Sequence, residues 1–421
     1  MNHFHYINGV LHAEDVPIPL IAEKVGTPFY CYSTATLERH YNVFANAFDD
    51  IKTKVCFAMK ANSNQAVLKT LANLGSGADV VSIGELKRAL AAGIPPEKIM
   101  FSGVGKTREE ILYSLEKEIF CFNVESIPEL QFLSECALEC GKVAPVSLRI
   151  NPDVEAGGHE KISVGKKTDK FGIAWDRAEE AYALAASLPG VNVTGIDMHI
   201  GSQIEKLDPF DQAFSKLGGL IEKLREQGHA IDHVDVGGGL GIPYKQDNNP
   251  PPEPEAYAKV VKTHVKQLGC EVVFEPGRMI AGNAGILVGS VIYVKDAGDK
   301  RFYIANTAMN DLMRPTLYDA WHEVFPVNEP EPGAEKRIAD VVGPVCESGD
   351  YMAKERDLPL MQSGDLFAIG SAGAYGAVQA GTYNTRPLVP EVLVKGDKFH
   401  VVRPRVEVEA IIAMDSQPDW L

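Results

Sequence analysis

The chain has 421 residues, 45% of them hydrophobic, which is enough for one large domain plus a smaller one. Its net charge of −16 argues against a surface for nucleic acid or an anionic membrane, because both attract basic patches. No apolar run approaches the roughly 18 residues of a spanning helix, and the N-terminus lacks a secretory hydrophobic region, so we expect a cytoplasmic protein. The seven cysteines form no CxxC pair and the histidines show no zinc-type spacing, so we expect reduced thiols and no metal site.

The N-terminal segment predicts short strands at Phe4–Ile7 and Phe29–Tyr32, interrupted by Gly9 and several prolines. Two short strands cannot bury a core by themselves. We therefore expect residues 1–30 to join a β domain formed elsewhere in the chain.

From Val55 onward the pattern changes to alternating strands and helices, of which Pro209–Gln227 is the clearest helix. Eight apolar segments are predicted as strands: Val55–Met59, Ala78–Ser82, Ile99–Ser102, Ile119–Asn123, Val146–Ile150, Val193–Ile200, Val234–Gly237 and Glu271–Glu275. Strands that are each followed by a helix predict a (β/α)8 TIM-like barrel. A doubly wound open sheet is the alternative, since eight strands do not prove closure.

Beyond residue 285 the helical pattern fades and turn residues separate further predicted strands. These strands are Ile286–Val294, Arg301–Asn306, Asp365–Ile369 and Glu391–Val394. The predicted organisation is a barrel over residues 31–284 and a C-terminal β-sandwich or β-barrel domain over residues 285–421, which also takes in the N-terminal strands. The proline-rich stretch at residues 248–254 is predicted to be a surface loop.

Lys60 stands where the first barrel strand ends, in the stretch Phe57-Ala-Met-Lys-Ala-Asn62. The run of apolar residues before it predicts a buried strand that carries an amine at its C-terminal end. Burying a lysine is costly, so a buried amine is usually paired, lowered in pKa or covalently bound. The alternative is a lysine at the strand edge whose ammonium reaches solvent.

Further polar residues follow later barrel strands, at the end where barrel enzymes place their active sites. His199 ends the sixth strand, Gly237–Gly239 follow the seventh, and Glu275 and Arg278 end the eighth. A glycine run exposes backbone N–H groups that can surround a phosphate, although it also suits a plain strand-to-helix turn. His199 alone would more often be a core histidine with satisfied hydrogen bonds.

A lysine, a phosphate-binding loop and a carboxylate on a neighbouring strand together suggest pyridoxal 5′-phosphate. Lys60 would form a Schiff base with it, Glu275 would keep its pyridine nitrogen protonated, and His199 would stack on its ring.

The chain resembles the fold-type III pyridoxal-phosphate decarboxylases, nearly from end to end. The matching segments are Gly26–Tyr32, Phe57–Asn62, Arg149–Val154 to Lys170–Ile173, His199–Gln203, Asp235–Gly239, Glu275–Arg278, Met313–Pro315, Cys346–Asp350 and Ala374–Gly376. Within that family the chain is most similar to the enzymes that convert meso-2,6-diaminopimelate to L-lysine and carbon dioxide, the last step of lysine biosynthesis.

The resemblance implies catalytic roles for Lys60, His199, Glu275 and Cys346. It implies that the cofactor is further bound by Ser202, Gly238, Gly239, Gly277, Arg278 and Tyr375. The residues implied for the substrate are Arg278, Arg314, Tyr318, Glu347 and Tyr375.

Arginines suit the carboxylate at the distal end of diaminopimelate because they bind it bidentately, and Glu347 suits the ammonium there. The resemblance also implies a homodimer in which Cys346 comes from the neighbouring subunit. Two alternatives remain: a decarboxylase of the same fold acting on ornithine, arginine or carboxynorspermidine, and a non-catalytic regulatory relative that binds the cofactor.

Overall fold

The structure is a computed structural model that describes residues 2–155, 157, 169–245, 247, 249–298 and 300–421. The chain forms two compact units. The β unit comprises Met1–Glu38, Tyr244–Asp247 and Ala281–Leu421, and the barrel unit comprises Arg39–Pro243 and Asn248–Ile280. Within the described ranges, no helix is both long and apolar enough to cross a membrane.

The N-terminal part of the chain supplies two separate pieces of the β unit. Its elements are β1 (Phe4–Ile7), β2 (Val10–Ala13), β3 (Val16–Pro17), α1 (Ile18–Val25), β4 (Phe29–Ser33) and α2 (Thr34–Asn46). Strands β1 to β3 form their own antiparallel three-stranded sheet, whereas β4 lies in a larger sheet. The boundary between the two units falls within α2.

Among its described residues, the barrel unit contains nine strands: β5 (Thr53–Ala58), β6 (Gly77–Val80), β7 (Ile99–Phe101), β8 (Cys121–Val124), β9 (Ala144–Asn151), β10 (Ile173–Ala174), β11 (Val191–Asp197), β12 (His233–Asp235) and β13 (Glu271–Phe274). Eight of them pair in parallel as a ring, and β10 adds only to the end of β9. The ring closes where Phe274 of β13 lies opposite Val55 of β5. The predicted barrel is confirmed, and the open sheet is excluded.

A helix follows each ring strand. These helices are α3 (Gln65–Asn73), α4 (Ile83–Ala91), α5 (Arg108–Lys117), α6 (Ile127–Glu139), α7 (Ala178–Ser187), α8 (Asp208–Glu226), α9 (Pro254–Val265) and α10 (Arg278–Ala281). Helix α8 buries Phe210 and Phe214, and both rings contact Tyr257 of α9. Pro254 begins α9 instead of ending a loop, because a proline at the first helical turn has no N–H to leave unpaired.

The remaining elements of the β unit are β14 (Gly285–Ala297), β15 (Lys300–Ala305), α11 (Arg314–Tyr318), β16 (Val324–Pro326), β17 (Lys336–Val342), β18 (Tyr351–Pro359), β19 (Leu366–Ile369), β20 (Glu391–Lys395), β21 (Lys398–Arg403) and α12 (Val408–Ile412). The large sheet has the order β18-β17-β15-β14-β4-β20-β21, with β19 also paired to β14. Strand β4 therefore lies in the middle of a sheet whose other strands come from the C-terminal part.

One apolar cluster joins the two sheets of the β unit. Leu11 and Ile21 from the N-terminal segment pack in the same buried cluster as Phe29, Val288 and Val392 from the large sheet. The N-terminal strands therefore share a core with the large sheet, within the same compact unit.

Candidate active site

Lys60 follows β5 on a single 3-10 turn formed by Met59–Ala61. Its side chain is 42% exposed, and its Nζ lies 3.4 Å from Oδ2 of Asp79, which is fully buried at the facing position of β6. The side chain is therefore partly exposed, because the turn carries it beyond the last buried position of the strand. The amine is nonetheless paired with a buried carboxylate.

Glu275 belongs to a buried polar cluster inside the barrel. The Asn123 amide donates to Oε1 of Glu275 and to Oδ2 of Asp235, each at 3.2 Å. The Ser102 hydroxyl donates to the same oxygen of Glu275 at 3.3 Å, and the Gly237 N–H donates to Asp235 at 2.8 Å. The Asn123 amide therefore binds both carboxylates and keeps them close together.

Carboxylates crowded inside the barrel raise one another's pKa. Burial raises the pKa of Glu275 well above its ordinary value, and Asp235, Asp79 and Asp197 raise it further, whereas Lys60 lowers it. Burial likewise raises the pKa of Asp235 to about 6. Such a cluster favours a bound cation, since a positive charge would relieve the repulsion between the carboxylates.

The glycine run packs against two neighbouring loops. A Cβ built on Gly238 would lie 2.3 Å from the Glu275 carbonyl oxygen, and one on Gly239 would lie 2.4 Å from that of Gly201. Gly239 also has φ +100°, which a residue with a side chain rarely adopts. Only glycine therefore fits this turn with the loops so close.

His199 lies beside this glycine run. Its Nδ1 accepts a hydrogen bond from the Gly238 N–H at 3.2 Å, so that nitrogen carries no proton. Burial lowers the pKa of His199 well below its ordinary value, and the positive charges of Arg149 and Lys60 lower it further. His199 is thus a neutral ring protonated on Nε2.

Arg278 and Ser202 meet at the end of the barrel strands. Arg278 is buried, and its Nη2 donates to the Ser202 hydroxyl at 3.0 Å. Gly277 precedes it, and a Cβ there would lie 3.0 Å from Cβ of Ala61. A cation, a hydroxyl and closely packed backbone are the components from which anion sites are built.

A second group of predicted residues lies in the β unit. Arg314 is buried at the start of α11, and its guanidinium lies 4.8 Å from the centre of the Tyr244 ring. Tyr318 ends the same helix, and its hydroxyl accepts from the Gln379 amide at 3.5 Å.

Cys346 and Glu347 are exposed, on a loop that the buried Asp350 holds through backbone hydrogen bonds. The Cys346 N–H also donates to the Asn384 side chain at 2.9 Å. Tyr375 is half-buried with φ +56°, a left-handed conformation that is uncommon outside glycine.

Each unit therefore gathers its own set of predicted residues. The barrel unit holds Lys60, His199, Glu275, Arg278 and the other residues predicted for the phosphate except Tyr375. The β unit holds Tyr375 and the remaining residues predicted for the substrate, which are Arg314, Tyr318 and Glu347, together with Cys346. Residues 158–168, within one matching segment, lie outside the described residues.

The family comparison decides between the possible readings of this barrel. Residues 34–282 match the family described as "Pyridoxal-dependent decarboxylase, pyridoxal binding domain". The chain belongs to the pyridoxal-dependent decarboxylases. The matched range spans α2 to α10, so it includes every ring strand and every strand-end residue considered above.

Relatives of this decarboxylase resemble it over its full length. Diaminopimelate decarboxylase of Vibrio cholerae is 50% identical over 418 residues, which cover 99% of each chain. That of Zymomonas mobilis is 49% identical over 421 residues, again 99% of each chain. Among solved structures, diaminopimelate decarboxylase from M. jannaschii in co-complex with L-lysine superposes with a TM-score of 0.95 at 35% identity, covering 100% of both chains.

The residues of this decarboxylase fit pyridoxal phosphate. Oδ1 of Asp79 and Oδ1 of Asp197 are buried without a hydrogen-bond partner among the described residues, next to the carboxylates of raised pKa. The barrel interior can thus accept a protonated ring nitrogen, while Arg278 and the glycine loops can accept a phosphate.

Sequence reasoning missed the side chains that surround Glu275 and Lys60. They are Asp79, Asn123, Arg149, Asp197 and Asp235. Arg149 illustrates them: its Nη1 lies 2.9 Å from Oε1 of the buried Glu125, and its Nε lies 3.8 Å from Oδ2 of Asp197. Asp79 and Asn123 are each the single polar residue of an otherwise apolar strand, a signal that the sequence contains.

Proposed function

We propose that this protein decarboxylates meso-2,6-diaminopimelate to L-lysine and carbon dioxide with pyridoxal phosphate as its cofactor. The observation that carries the proposal is the end-to-end identity of about half with the diaminopimelate decarboxylases of two bacteria. An enzyme of this family with another substrate would be expected to diverge in the β unit, where the distal substrate residues lie.

The barrel unit would hold the cofactor. Lys60 would bind it covalently, and Ser202, Gly239, Gly277 and Arg278 would bind its phosphate, with Gly238 shaping the loop and Tyr375 contributing from the β unit. The Gly238 N–H is already donated to His199, so we assign the backbone contacts to Gly239 and Gly277.

Glu275 would act at the ring nitrogen. When bound, pyridoxal phosphate supplies an electron-accepting ring that takes up the electron pair left by the departing carboxylate. Glu275 would accept a hydrogen bond from the protonated ring nitrogen, whose positive charge would lower the pKa of this carboxyl toward its ordinary value. The hydrogen bonds from Asn123 and Ser102 hold Oε1 of Glu275 in place and so fix the orientation of its carboxylate.

His199 would lie against the ring face. Being neutral, it adds no positive charge beside Lys60 and Arg278, and its Nε2–H is available as a donor. The Gly238 N–H sets both the tautomer and the plane of the imidazole.

The β unit would bind the distal end of the substrate. Arg314 presents a planar fork that suits a carboxylate, assisted by Arg278 and Tyr318, and Glu347 suits the distal ammonium. Glu347 hydrogen-bonds the Tyr383 hydroxyl and so raises the pKa of that phenol. The carboxylate is thus held in a fixed direction.

Cys346 would return a proton to the substrate carbon. Its thiol is exposed on a loop fixed by hydrogen bonds, and this arrangement suits a group that acts on a neighbouring chain. We propose a homodimer with a two-fold axis, in which each copy supplies Cys346 and Glu347 to the site of the other.

We also propose that the protein works in the cytoplasm. All seven cysteines are free thiols, and five of them are buried, which suits a reducing compartment.

The deciding experiment measures carbon dioxide release from meso-diaminopimelate, ornithine, arginine and carboxynorspermidine under equal conditions. We expect turnover of diaminopimelate alone. Preference for one of the others would assign the chain to a different substrate within the same family. Release from none of them by protein that binds the cofactor would favour a regulatory relative.

A further inference from the structure

His322 is a fully buried histidine of the β unit that contacts the predicted substrate arginine. Its Nε2 lies 3.3 Å from Nε of Arg314, and its Nδ1 lies 2.8 Å from the carbonyl oxygen of Gly370. The Tyr244 ring packs edge-on against it at 5.2 Å. The motif that contains Arg314 ends before His322, so the sequence argument did not include it.

These two contacts determine the protonation of the ring. A carbonyl oxygen only accepts, so Nδ1 carries a proton; an arginine Nε only donates, so Nε2 carries none. His322 is therefore a neutral imidazole in a single tautomer. Each ring nitrogen has a hydrogen-bond partner that suits only this tautomer of the neutral imidazole.

His322 is anchored to the sheet and not to the helix that carries Arg314. It lies just before β16, which pairs with β19, and the Gly370 N–H donates to the carbonyl of Glu323 at 2.8 Å. Helix α11, with only five residues, is too short to fix its own first side chain. The imidazole thus connects the Arg314 guanidinium to the rigid sheet.

We propose that His322 is a positioning residue for the distal carboxylate of the substrate. It holds the Nε edge of Arg314, while the Tyr244 ring supports one face of the guanidinium. The edge formed by Nη1 and Nη2 is then directed for bidentate contact with a carboxylate. This inference rests on the proposed function, because it assigns Arg314 to the substrate.

The charges around His322 keep it uncharged. Arg314 faces it from α11, and Arg356 of β18 donates to its carbonyl oxygen at 3.1 Å. Glu323 is the nearby acid, and it accepts from the Trp321 indole at 3.1 Å. A proton on Nε2 would place a third cation between two arginines and remove the acceptor that Arg314 uses.

The test compares two amide substitutions. His322→Gln places its carbonyl oxygen near the former Nε2 and keeps an acceptor for Arg314, whereas His322→Asn reaches only the former Nδ1 and loses it. We expect His322→Asn to raise KM for diaminopimelate about 10–150-fold, the effect of one lost hydrogen bond to a charged group, with kcat changed less than about threefold. His322→Gln should restore most of the affinity.

Cadaverine (1,5-diaminopentane) is the matched control ligand, since it has the same amine spacing as diaminopimelate but no carboxylate. Its inhibition constant should stay within about twofold of wild type in both variants. In an Arg314→Met background, His322→Asn should add no further loss, because the two residues act through one contact. Equal weakening of cadaverine, or additive losses in the double variant, would overturn the positioning role.

Two further readouts keep the inference separate from the proposed function. If Arg314→Met itself does not weaken diaminopimelate relative to cadaverine, the substrate assignment fails first. Nitrogen-15 spectra of histidine-labelled wild-type protein should show a neutral imidazole protonated on Nδ1 that is absent in His322→Gln. If the signal that is absent in His322→Gln comes from the other tautomer or from imidazolium, the inference is overturned, even if His322→Asn does not fold.

Discussion

The substitution Gly239→Ala tests the phosphate-binding loop most directly. The new Cβ would lie 2.4 Å from the Gly201 carbonyl oxygen, whereas such contacts are ordinarily about 3.3 Å, so the loops must separate by about 1 Å. Overpacking costs about 1–3 kcal/mol and the left-handed backbone about 1–2 kcal/mol, which together lower the free energy of unfolding by about 2–5 kcal/mol. At about 2–4 °C per kcal/mol, Tm should fall by about 4–20 °C.

The displaced loop should also bind the cofactor poorly. Loss of one hydrogen bond from Gly239 to a phosphate corresponds to a Kd for pyridoxal phosphate about 10–150-fold higher. We would measure Tm of the cofactor-free protein by circular dichroism and Kd by absorbance titration. Gly219→Ala is the control: its Cβ meets nothing within 4 Å on helix α8, so it should raise stability by about 0.5–1 kcal/mol and leave Kd unchanged. Wild-type Kd in Gly239→Ala would refute the phosphate assignment.

Three further outcomes are expected. Glu275→Gln should retain the cofactor while decarboxylation collapses, because a neutral amide does not sustain the ring-nitrogen proton; near-normal turnover would remove Glu275 from this role. Lys60→Ala and Cys346→Ala should each be nearly inactive, and their mixture under subunit exchange should regain about a quarter of wild-type activity; no recovery despite exchange would place Cys346 in its own chain's site. Asp235 holds its proton more tightly when folded, its pKa rising from 3.8 to about 6, so stability of the cofactor-free protein should fall as pH rises from 4 to 6. This carboxyl alone contributes about 3 kcal/mol to that fall, and urea unfolding of Asp235→Asn should show a flatter pH profile.

The barrel could be predicted from sequence because its strands are short apolar runs spaced by helices. Strands β17 and β18 were missed for the opposite reason. Charged residues fill β18 from Lys354 to Asp357, and the first residues of β17 are exposed, so neither segment stands out as apolar. Such strands are defined by their pairing with neighbours, which a single sequence does not display.

Lys60 shows the same limit of prediction from a single sequence, here at the candidate active site. The apolar run before it correctly placed an amine at a strand end, but the degree of burial depends on a one-turn helix and on Asp79. Asp79, Asn123 and Asp235 converge only when the ring closes, so their common role could not be read from any one strand. His322 was overlooked because its importance lies in a contact with Arg314 across the fold.

The central position of β4 has a consequence for synthesis of the chain on the ribosome. Phe29–Ser33 pairs on one side with residues 285–288 of β14 and on the other with β20, which begins at Glu391. At about 5–20 residues per second, the strand emerges on the order of tens of seconds before its second partner. Both edges of this strand, which is buried in the folded unit, are open until β14 emerges, and the edge that pairs with β20 stays open throughout the interval. The strand must therefore be kept from pairing with other nascent chains. The barrel unit, whose ring partners are all complete by Phe274, can meanwhile fold on the tethered polypeptide.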